Sequence, residues 1–181
     1  MKEPDILLRA LELEDLDFLY QIENDDRLWE LGVSNVPYSR RVLLDYISSA
    51  SADIYVDNQV RLIVENSRNE QVGIVDLTDF DPRHRRAELG IVIKKEFQGK
   101  GYAKASVVRL LQYAQNILHL QQIYAIVGVR NQKAAKMLQS VGFESCRQIC
   151  VHRADGTDRL ATHRQHRFHL RLRVPPGNCQ V

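Results

Sequence analysis

The chain has 181 residues, a length that favours one domain and is enough for a hydrophobic core without added cross-links. Its composition, 44% hydrophobic and 27% charged, is ordinary for a soluble globular protein. A formal net charge of +2 is too small to make nucleic acid an expected partner.

Short apolar or alternating runs predict the strands of a sheet. In chain order they are residues 6–9, 54–56, 60–65, 71–77, 87–93, 123–129, a strand from 143 onward, and 164–174. A hairpin turn is expected at 66–70, and a charged loop at 79–86. In the final strand Phe168 alternates with Arg167 and His169, so we expect the basic side chains to form the exposed face of an edge strand.

Apolar residues at helical spacing predict four helices. They cover residues 14–22, a stretch that begins after Ser39, residues 103–118 and residues 132–141. Ser39 and Asn131 are suited to cap the second and fourth helices, and Gly142 to end the fourth. The whole order predicts a mixed α/β (α+β) layer around one sheet, with residues 1–174 as a single domain and 175–181 as a loose tail.

Cysteine usage and hydropathy indicate the compartment. The three cysteines lack metal-ligand spacing, and so low and odd a number favours a reducing environment. The N-terminus has no apolar core of signal-peptide length, and no run approaches the ~18 apolar residues of a membrane span. We therefore expect a soluble, cytoplasmic protein with no membrane partner and no metal.

A glycine-containing turn at residues 98–103 lies between the central strand and the long helix. Such a turn presents backbone N–H groups at a helix N-terminus, where the helix dipole favours an anion. Gly99 and Gly101 let the backbone approach that anion closely. We therefore predict that residues 98–104 hold a phosphorylated ligand.

Two nucleotide-binding motifs do not fit this turn. A dinucleotide-binding G-x-G-x-x-G motif would need glycine at position 104, where the chain has Lys104. A Walker loop would need serine or threonine after a Gly-Lys pair, and Gly101 occupies that place. A tight strand-to-helix turn with no ligand stays open as an alternative.

Taken together, the strand 87–93, the turn after it, Asn131 and the Gly142-Phe143 pair resemble the GNAT superfamily of N-acyltransferases. The superfamily motif Q/R-x-x-G-x-G/A is present as Gln98, Gly101 and Ala103. The chain is most similar to the spermidine and ribosomal-protein-alanine acetyltransferase branch. The resemblance implies a GNAT fold with a mixed central β-sheet of about seven strands, splayed between two parallel strands and flanked by about four helices.

The resemblance also implies where acetyl-CoA binds. The coenzyme would occupy a gap between strands 87–93 and 123–129, with its pantetheine arm paired to the backbone of Ile91, Val92 and Ile93. The diphosphate would rest on a run of backbone amides, those of Gln98, Gly99, Lys100, Gly101, Tyr102, Ala103 and Lys104. Asn131 would cap its helix and reach the pantetheine. Lys133 and Lys136 would approach the CoA phosphates, or else be merely solvated.

The implied reaction is direct attack of a primary amine on a thioester. An alkyl amine with a pKa near ~10.4 is protonated at neutral pH, so a base or a water relay has to remove a proton. A backbone N–H would stabilise the oxyanion. Glu88 is the candidate base, because it lies on the strand that leads to the cofactor site among apolar neighbours. The alternative is a structural carboxylate paired with Arg85 or Arg86.

One position departs from the family pattern. Many members carry a tyrosine seven residues after the helix-capping asparagine, as the acid that protonates the leaving thiolate. This chain has Leu138 there. The departure raises a rival interpretation, a non-catalytic acyl-CoA-binding module.

The acceptor is expected to meet the acidic N-terminal third of the chain. Trp29 and Glu30, with Asp25 and Asp26 beside them, would attract a cationic amine. The alternative is that each of these residues is an ordinary solvated surface position. The predicted function is thus an acetyl-CoA-dependent N-acetyltransferase. Its acceptor is a polyamine or the N-terminal or side-chain amine of a protein. The oligomeric state stays open, with a homodimer among the candidates.

Overall fold

The computed structural model describes residues 3–25, 36–51, 53–152 and 162–172, with 147–152 and 162–166 at the level of the backbone. The strands are β1 (Ile6–Ala10), β2 (Val60–Asn66), β3 (Gln71–Asp81), β4 (Arg86–Ile93), β5 (Gln122–Gly128), β6 (Glu144–His152) and β7 (Thr162–Arg171). The α-helices are α1 (Leu16–Glu23), α2 (Arg40–Ser49), α3 (Ile54–Asp57), α4 (Tyr102–Asn116) and α5 (Gln132–Ser140). Single 3₁₀ turns precede α1 and α4, at Leu13–Asp15 and Lys95–Phe97.

One seven-stranded sheet contains all these strands in the order β1-β2-β3-β4-β5-β7-β6. Neighbours are antiparallel except β4 and β5, which are parallel. The predicted mixed sheet of seven strands is therefore confirmed, with five α-helices rather than four in the described part of the chain. The expectation that the last strand lies at an edge is wrong, because β7 is inserted between β5 and β6.

The parallel pair separates soon after it forms. Its register runs from Arg86 opposite Gln122 to Glu88 opposite Tyr124, a length of three residue pairs. Beyond this point β4 stays paired with β3, and β5 stays paired with β7. The two strands thus diverge and open the predicted gap in the middle of the sheet.

Helices cover both faces of the sheet, since side chains alternate between the faces along each strand. On one face α4 and α5 pack onto the larger apolar cluster, which includes Val107, Leu110, Leu138 and Phe168. On the other face α1 and α2 bury a smaller cluster, formed by Phe18, Leu19, Ile22, Leu43 and Ile47 with Ile63 and Ile74 of the sheet. The sheet is therefore the middle of three layers.

Several local predictions are confirmed by hydrogen bonds. The Ser39 hydroxyl accepts from the N–H of Val42 at the start of α2. The side chain of Asn131 caps α5 in the same way, and Gly142 follows the end of that helix with φ +97°.

Residues 54–56 are a correction, because they form the short helix α3 rather than a strand. Their β-branched and aromatic side chains favour extended structure, but Asp53 caps the turn at one end and Asn58, with φ 53°, ends it at the other. The charged loop is also shorter than predicted, since β3 continues to Asp81 and β4 begins at Arg86. Within the described ranges, no helix has the length and apolar content needed to cross a bilayer.

Candidate active site

The glycine turn leads from β4 into α4 as exposed backbone. Gly99 and Gly101 have φ of +75° and +90°, values that L side chains rarely adopt, and a Cβ at Gly99 would point into open space. The N–H of Ala105 donates to the carbonyl of Gly101 at 3.1 Å. The N–H groups ahead of Ala105 have no partner within the helix, as at every helix start. They form a seat for an anion at the positive end of the helix dipole.

Side chains on either side hold this turn in place. Nε2 of Gln98 donates to the carbonyl of Ile93 at 2.9 Å, which ties the turn to the end of β4. The ring of Tyr102 packs edge to face on Phe97, with 5.7 Å between the ring centroids. Both aromatic rings pack against the large apolar cluster. The turn is therefore positioned before any ligand arrives.

The strand edge that leads to the turn fits an extended amide chain. From residue 89 to residue 93, β4 has no strand partner on its β5 side in the described part of the chain. Ile91, Val92 and Ile93 lie on this edge, and the 3₁₀ turn at Lys95–Phe97 connects the edge to the glycine turn. The pantetheine arm of CoA carries amides that can pair with such an edge, and its diphosphate would then reach the helix N-terminus. The residues present therefore fit CoA.

The polar residues predicted to contact CoA have separate settings. Oδ1 of Asn131 accepts from the N–H of Ala134 at 3.1 Å, so this side-chain oxygen caps the N-terminus of α5. Lys133 and Lys136 are exposed on α5. Lys104 makes an ion pair with Glu3 at 3.6 Å. The contacts of these residues with CoA remain predictions.

Glu88 lies where β4 and β5 separate, in the last residue pair that joins them. Its side chain is half-buried, and this burial raises the pKa of the carboxyl above its ordinary value. The nearby carboxylates of Asp79 and Asp76 raise that pKa further, while Arg167 and the neighbouring hydroxyl of Tyr124 oppose the rise. A carboxylate with a raised pKa is better suited to accept a proton at neutral pH.

The alternative role for Glu88, an ion pair with a neighbouring arginine, is not what the side chains show. Nε of Arg86 lies 3.4 Å from Oδ2 of Asp81 instead. Arg85 occupies the turn before β4 with φ 49°. In the described ranges the nearest charged neighbours of Glu88 therefore come from β3 and β7.

Tyr124 is the neighbour of Glu88 across the fork, and it is only 3% exposed. Its hydroxyl donates to Oδ2 of Asp79 on β3. Burial and this hydrogen bond both raise the pKa of the phenol, so Tyr124 is protonated at neutral pH. Asp79 itself is exposed and has φ 49°. The buried phenol of Tyr124 is thus hydrogen-bonded to the exposed Asp79 and is opposite the half-buried Glu88 in the register.

Two basic residues of β7 complete this side of the fork. The guanidinium of Arg167 lies over the ring of Tyr124, 4.4 Å from its centroid. The ring of His169 lies 6.0 Å from the same ring and hydrogen-bonds with Gln122. Burial and the charge of Arg167 lower the pKa of His169, which makes it neutral at pH 7.

Asp76 completes the acidic surroundings of Glu88. Its carboxylate occupies the space over Gly90, where an added Cβ would come within 2.0 Å of Oδ1. Arg61 pairs with Asp76 at 3.2 Å and with Glu23 of α1 at 2.7 Å. A side chain at position 90 would therefore force the Asp76 carboxylate to move.

Other predicted site residues lie elsewhere. Leu138 is 2% exposed and belongs to the large apolar cluster, so it offers no proton donor. Trp29, Glu30 and Asp26 lie outside the described residues. Among the residues that are described, no cluster of His, Cys, Asp or Glu is arranged to hold a metal ion.

Three residues beside Glu88 were missed at the sequence level, namely Asp79, Tyr124 and Arg167. Tyr124 carried a usable signal, because it is a phenol in an otherwise apolar strand and a buried phenol needs a hydrogen-bond partner. Arg167 was assigned to an exposed face, since alternation along a strand does not reveal which strands lie on either side.

Comparison with known proteins defines the class. The family model described as the acetyltransferase (GNAT) domain matches residues 5–144. The chain therefore belongs to the GNAT acetyltransferase family, as its motifs predicted, and is an acyltransferase of the N-acetyltransferase class. The rival interpretation as a non-catalytic binding module is not favoured.

The sequence relatives have more specific names than the family model. The spermidine N(1)-acetyltransferase of Vibrio cholerae is 33% identical over 138 residues, covering 76% of this chain and 78% of the relative. A Bacillus subtilis protein, provisionally named a ribosomal N-acetyltransferase, is 30% identical over 145 residues, covering 76% of this chain and 77% of that one.

Solved structures of spermidine N-acetyltransferase are also similar to this chain. The Vibrio cholerae spermidine N-acetyltransferase in complex with CoA and spermine has a TM-score of 0.78 at 28% identity, covering 92% of this chain and 95% of that one. The same enzyme has also been solved as a dodecamer, with a TM-score of 0.74 at 30% identity, covering 92% of this chain and 93% of the other.

Proposed function

We propose that this protein transfers the acetyl group of acetyl-CoA to a primary amine of a polyamine. The observation that supports this most directly is Glu88 at the fork of β4 and β5, on the strand whose free edge leads toward the glycine turn. The similarity to spermidine N-acetyltransferases supports a polyamine as the acceptor. When bound, acetyl-CoA supplies an activated acyl group.

The residues of the chain then have distinct roles. The β4 edge at Ile91, Val92 and Ile93 and the amides from Gln98 to Lys104 hold the coenzyme, and Asn131 orders the start of α5 beside it. Glu88 accepts a proton from the acceptor amine, as its raised pKa suits it to do.

The acceptor enters a negatively charged region. Asp76, Asp79 and Glu88 lie together, and the positive charge of Arg61 is shared between Asp76 and Glu23. A polycation gains from several carboxylates at once, whereas a single protein N-terminus presents one charge. An amine on a protein is the second candidate, since the Bacillus subtilis relative is named for ribosomal substrates. Trp29 and Glu30 stay proposed acceptor contacts. The homodimer likewise remains a prediction, although the dodecameric relative is consistent with an assembly of several copies.

Thiol release from acetyl-CoA tests the function. We expect release with spermidine and spermine to exceed release with free amino acids and with N-terminal peptides by at least tenfold. A preference for peptides would select the second candidate. If no amine releases thiol while calorimetry shows tight CoA binding, the proposed activity is wrong.

A further inference from the structure

The proposed reaction leaves a proton on Glu88, and that proton has to leave before the next turnover. Glu88 is half-buried at the fork, whereas Asp79 is exposed, and Tyr124 is opposite Glu88 in the register and donates its hydroxyl proton to Asp79. We propose that Tyr124 and Asp79 form a relay that carries the proton from Glu88 to solvent. This inference rests on the proposed function and assigns Tyr124 and Asp79 as residues that act through Glu88.

The register of the sheet brings the side chains of Glu88, Tyr124 and Asp79 close together. Glu88 and Tyr124 are opposite each other in parallel neighbouring strands, so both side chains leave the same face of the sheet. The Tyr124 hydroxyl donates to Oδ2 of Asp79, although β4 lies between their two strands. Tyr124 is 3% exposed, so its hydroxyl is shielded from solvent and depends on these neighbours.

An irregularity in β3 brings Asp79 to this position. The pairing of β3 with β4 shifts in register between Thr78 and Asp81, and Asp79 has φ 49° within the shifted segment. The left-handed conformation is unfavourable for most residues other than glycine, asparagine and aspartate, and such outliers concentrate at functional sites. At Asp79 it accompanies a carboxylate that reaches over β4 to the phenol.

The transfer balances in protons and charge. The acceptor ammonium gives its proton to the Glu88 carboxylate and becomes the neutral amine. The Glu88 carboxyl then gives that proton to Oη of Tyr124, while the original phenol proton moves to Oδ2 of Asp79. Glu88 returns to a carboxylate, Tyr124 remains a phenol, and the protonated Asp79 releases its proton to water.

Charged groups around the relay act on its separate steps. Arg167 lies over the Tyr124 ring and is attracted to negative charge that develops on the phenol oxygen during transfer. Asp76 and Asp79, two of the carboxylates on β3, disfavour the charged form of Glu88, which favours uptake of the amine proton by Glu88 and opposes its release. His169 is kept neutral by burial and by Arg167, so it does not compete for the proton at pH 7.

Two conservative substitutions break the relay at different points. Tyr124→Phe removes the bridging hydroxyl. Asp79→Asn keeps the hydrogen-bond acceptor, and asparagine tolerates the left-handed backbone, but an amide cannot take up the proton. We expect kcat for polyamine acetylation to fall about tenfold or more in each, and the double variant to be no slower than the slower single one. Tyr113→Phe on α4 is the matched control.

Added imidazole, a small diffusible base, provides the first decisive readout. It should raise kcat of both relay variants toward the wild-type value and leave the wild type and Tyr113→Phe unchanged. A loss that imidazole does not relieve, or wild-type kcat in both variants, would overturn the relay. If Tyr124→Phe does not fold, the imidazole response of the Asp79→Asn variant, whose substitution is at an exposed position, still tests the relay. Absence of turnover in the wild type would count against the proposed function instead.

Titration of the Glu88 carboxyl by carbon-13 NMR in the ligand-free protein gives a second readout. Tyr124→Phe should raise the pKa of Glu88, because a nearby hydroxyl that favours its charged form is lost. Asp79→Asn should lower it, because a neighbouring negative charge is removed. Opposite shifts support the contact on which the relay depends, and an unchanged pKa of Glu88 in both variants would contradict it.

Discussion

At Glu88 the requirements of the proposed catalytic role and of folding oppose each other. Burial and two nearby carboxylates raise the pKa of this side chain, so the folded protein binds a proton there more tightly than the unfolded chain does. As pH rises through the folded-state pKa, the folded state has to hold a charge in an unfavourable place. The stability that the protonated carboxyl contributes is therefore lost toward higher pH.

Glu88→Gln should separate the two effects. Without a base, kcat/KM for polyamine acetylation should fall by roughly 10²- to 10⁴-fold, and the acidic limb of its pH profile should disappear. Thermal unfolding at pH 8 should show a variant at least as stable as the wild type, because a buried charge has been removed. Retention of more than a tenth of wild-type kcat/KM would exclude Glu88 as the base.

Among the elements, the turn between β4 and α4 combines a backbone requirement with a binding role. Gly99 and Gly101 are left-handed, as is Gly142 after α5. A Cβ added at Gly142 would touch Leu170 at 3.4 Å, while one at Gly101 would approach Pro4 at 3.1 Å. Conformational strain is thus similar at the three glycines, whereas only the first two lie in the proposed diphosphate seat.

Gly142→Ala is therefore the matched control for Gly99→Ala. Each should lower the free energy of unfolding by about 1–2 kcal/mol through left-handed strain. Calorimetry should show that Gly99→Ala weakens CoA binding more than tenfold, because the methyl group enters the open space above the amides. Gly142→Ala should leave the CoA affinity within twofold of wild type. If the two variants bind CoA with equal affinity, the proposal that the turn binds the diphosphate is wrong.

How far the sequence predicts each element depends on how local its causes are. The glycine turn, the Asn131 cap and the long helix α4 were recognisable because their determinants lie within a few residues. Helix α3 was misread because one turn of structure carries too little periodicity to outweigh β-branched side chains. The surroundings of Glu88 were not predictable, since Asp79 and Arg167 arrive from strands whose neighbours only the whole sheet defines.

For the molecule as a whole, Asp15 links distant segments of the chain. It is 1% exposed, pairs with Arg9 of β1 at 2.7 Å, and accepts from the side chain of Gln71 of β3 and from the N–H of Glu12. Burial alone would raise the pKa of Asp15, but these hydrogen bonds and the charge of Arg9 lower it below its ordinary value. Its contribution to stability is present above the unfolded-state pKa and is lost as pH falls through the folded-state pKa.

Asp15→Asn should consequently destabilise the protein most at neutral pH. We expect a loss of roughly 2–4 kcal/mol in the free energy of unfolding at pH 7, since Arg9 keeps its second partner, Glu65. The difference from wild type should shrink as pH falls below about 4. Urea unfolding at pH 7 and pH 3.5 measures both values, and a difference that does not depend on pH would contradict this role.

The position of β7 has a consequence for how the protein is made. Among the described strands, β6 joins the sheet only through β7, and β7 alone covers the outer edge of β5. A growing polypeptide can complete the turn at Gly99 and present Glu88 well before Arg167 has been synthesised. Until β7 pairs with it, the outer edge of β5 is therefore bare and prone to pairing with other chains. Docking of the antiparallel β6–β7 pair removes that exposed edge, so it is the step that protects the nascent domain from association.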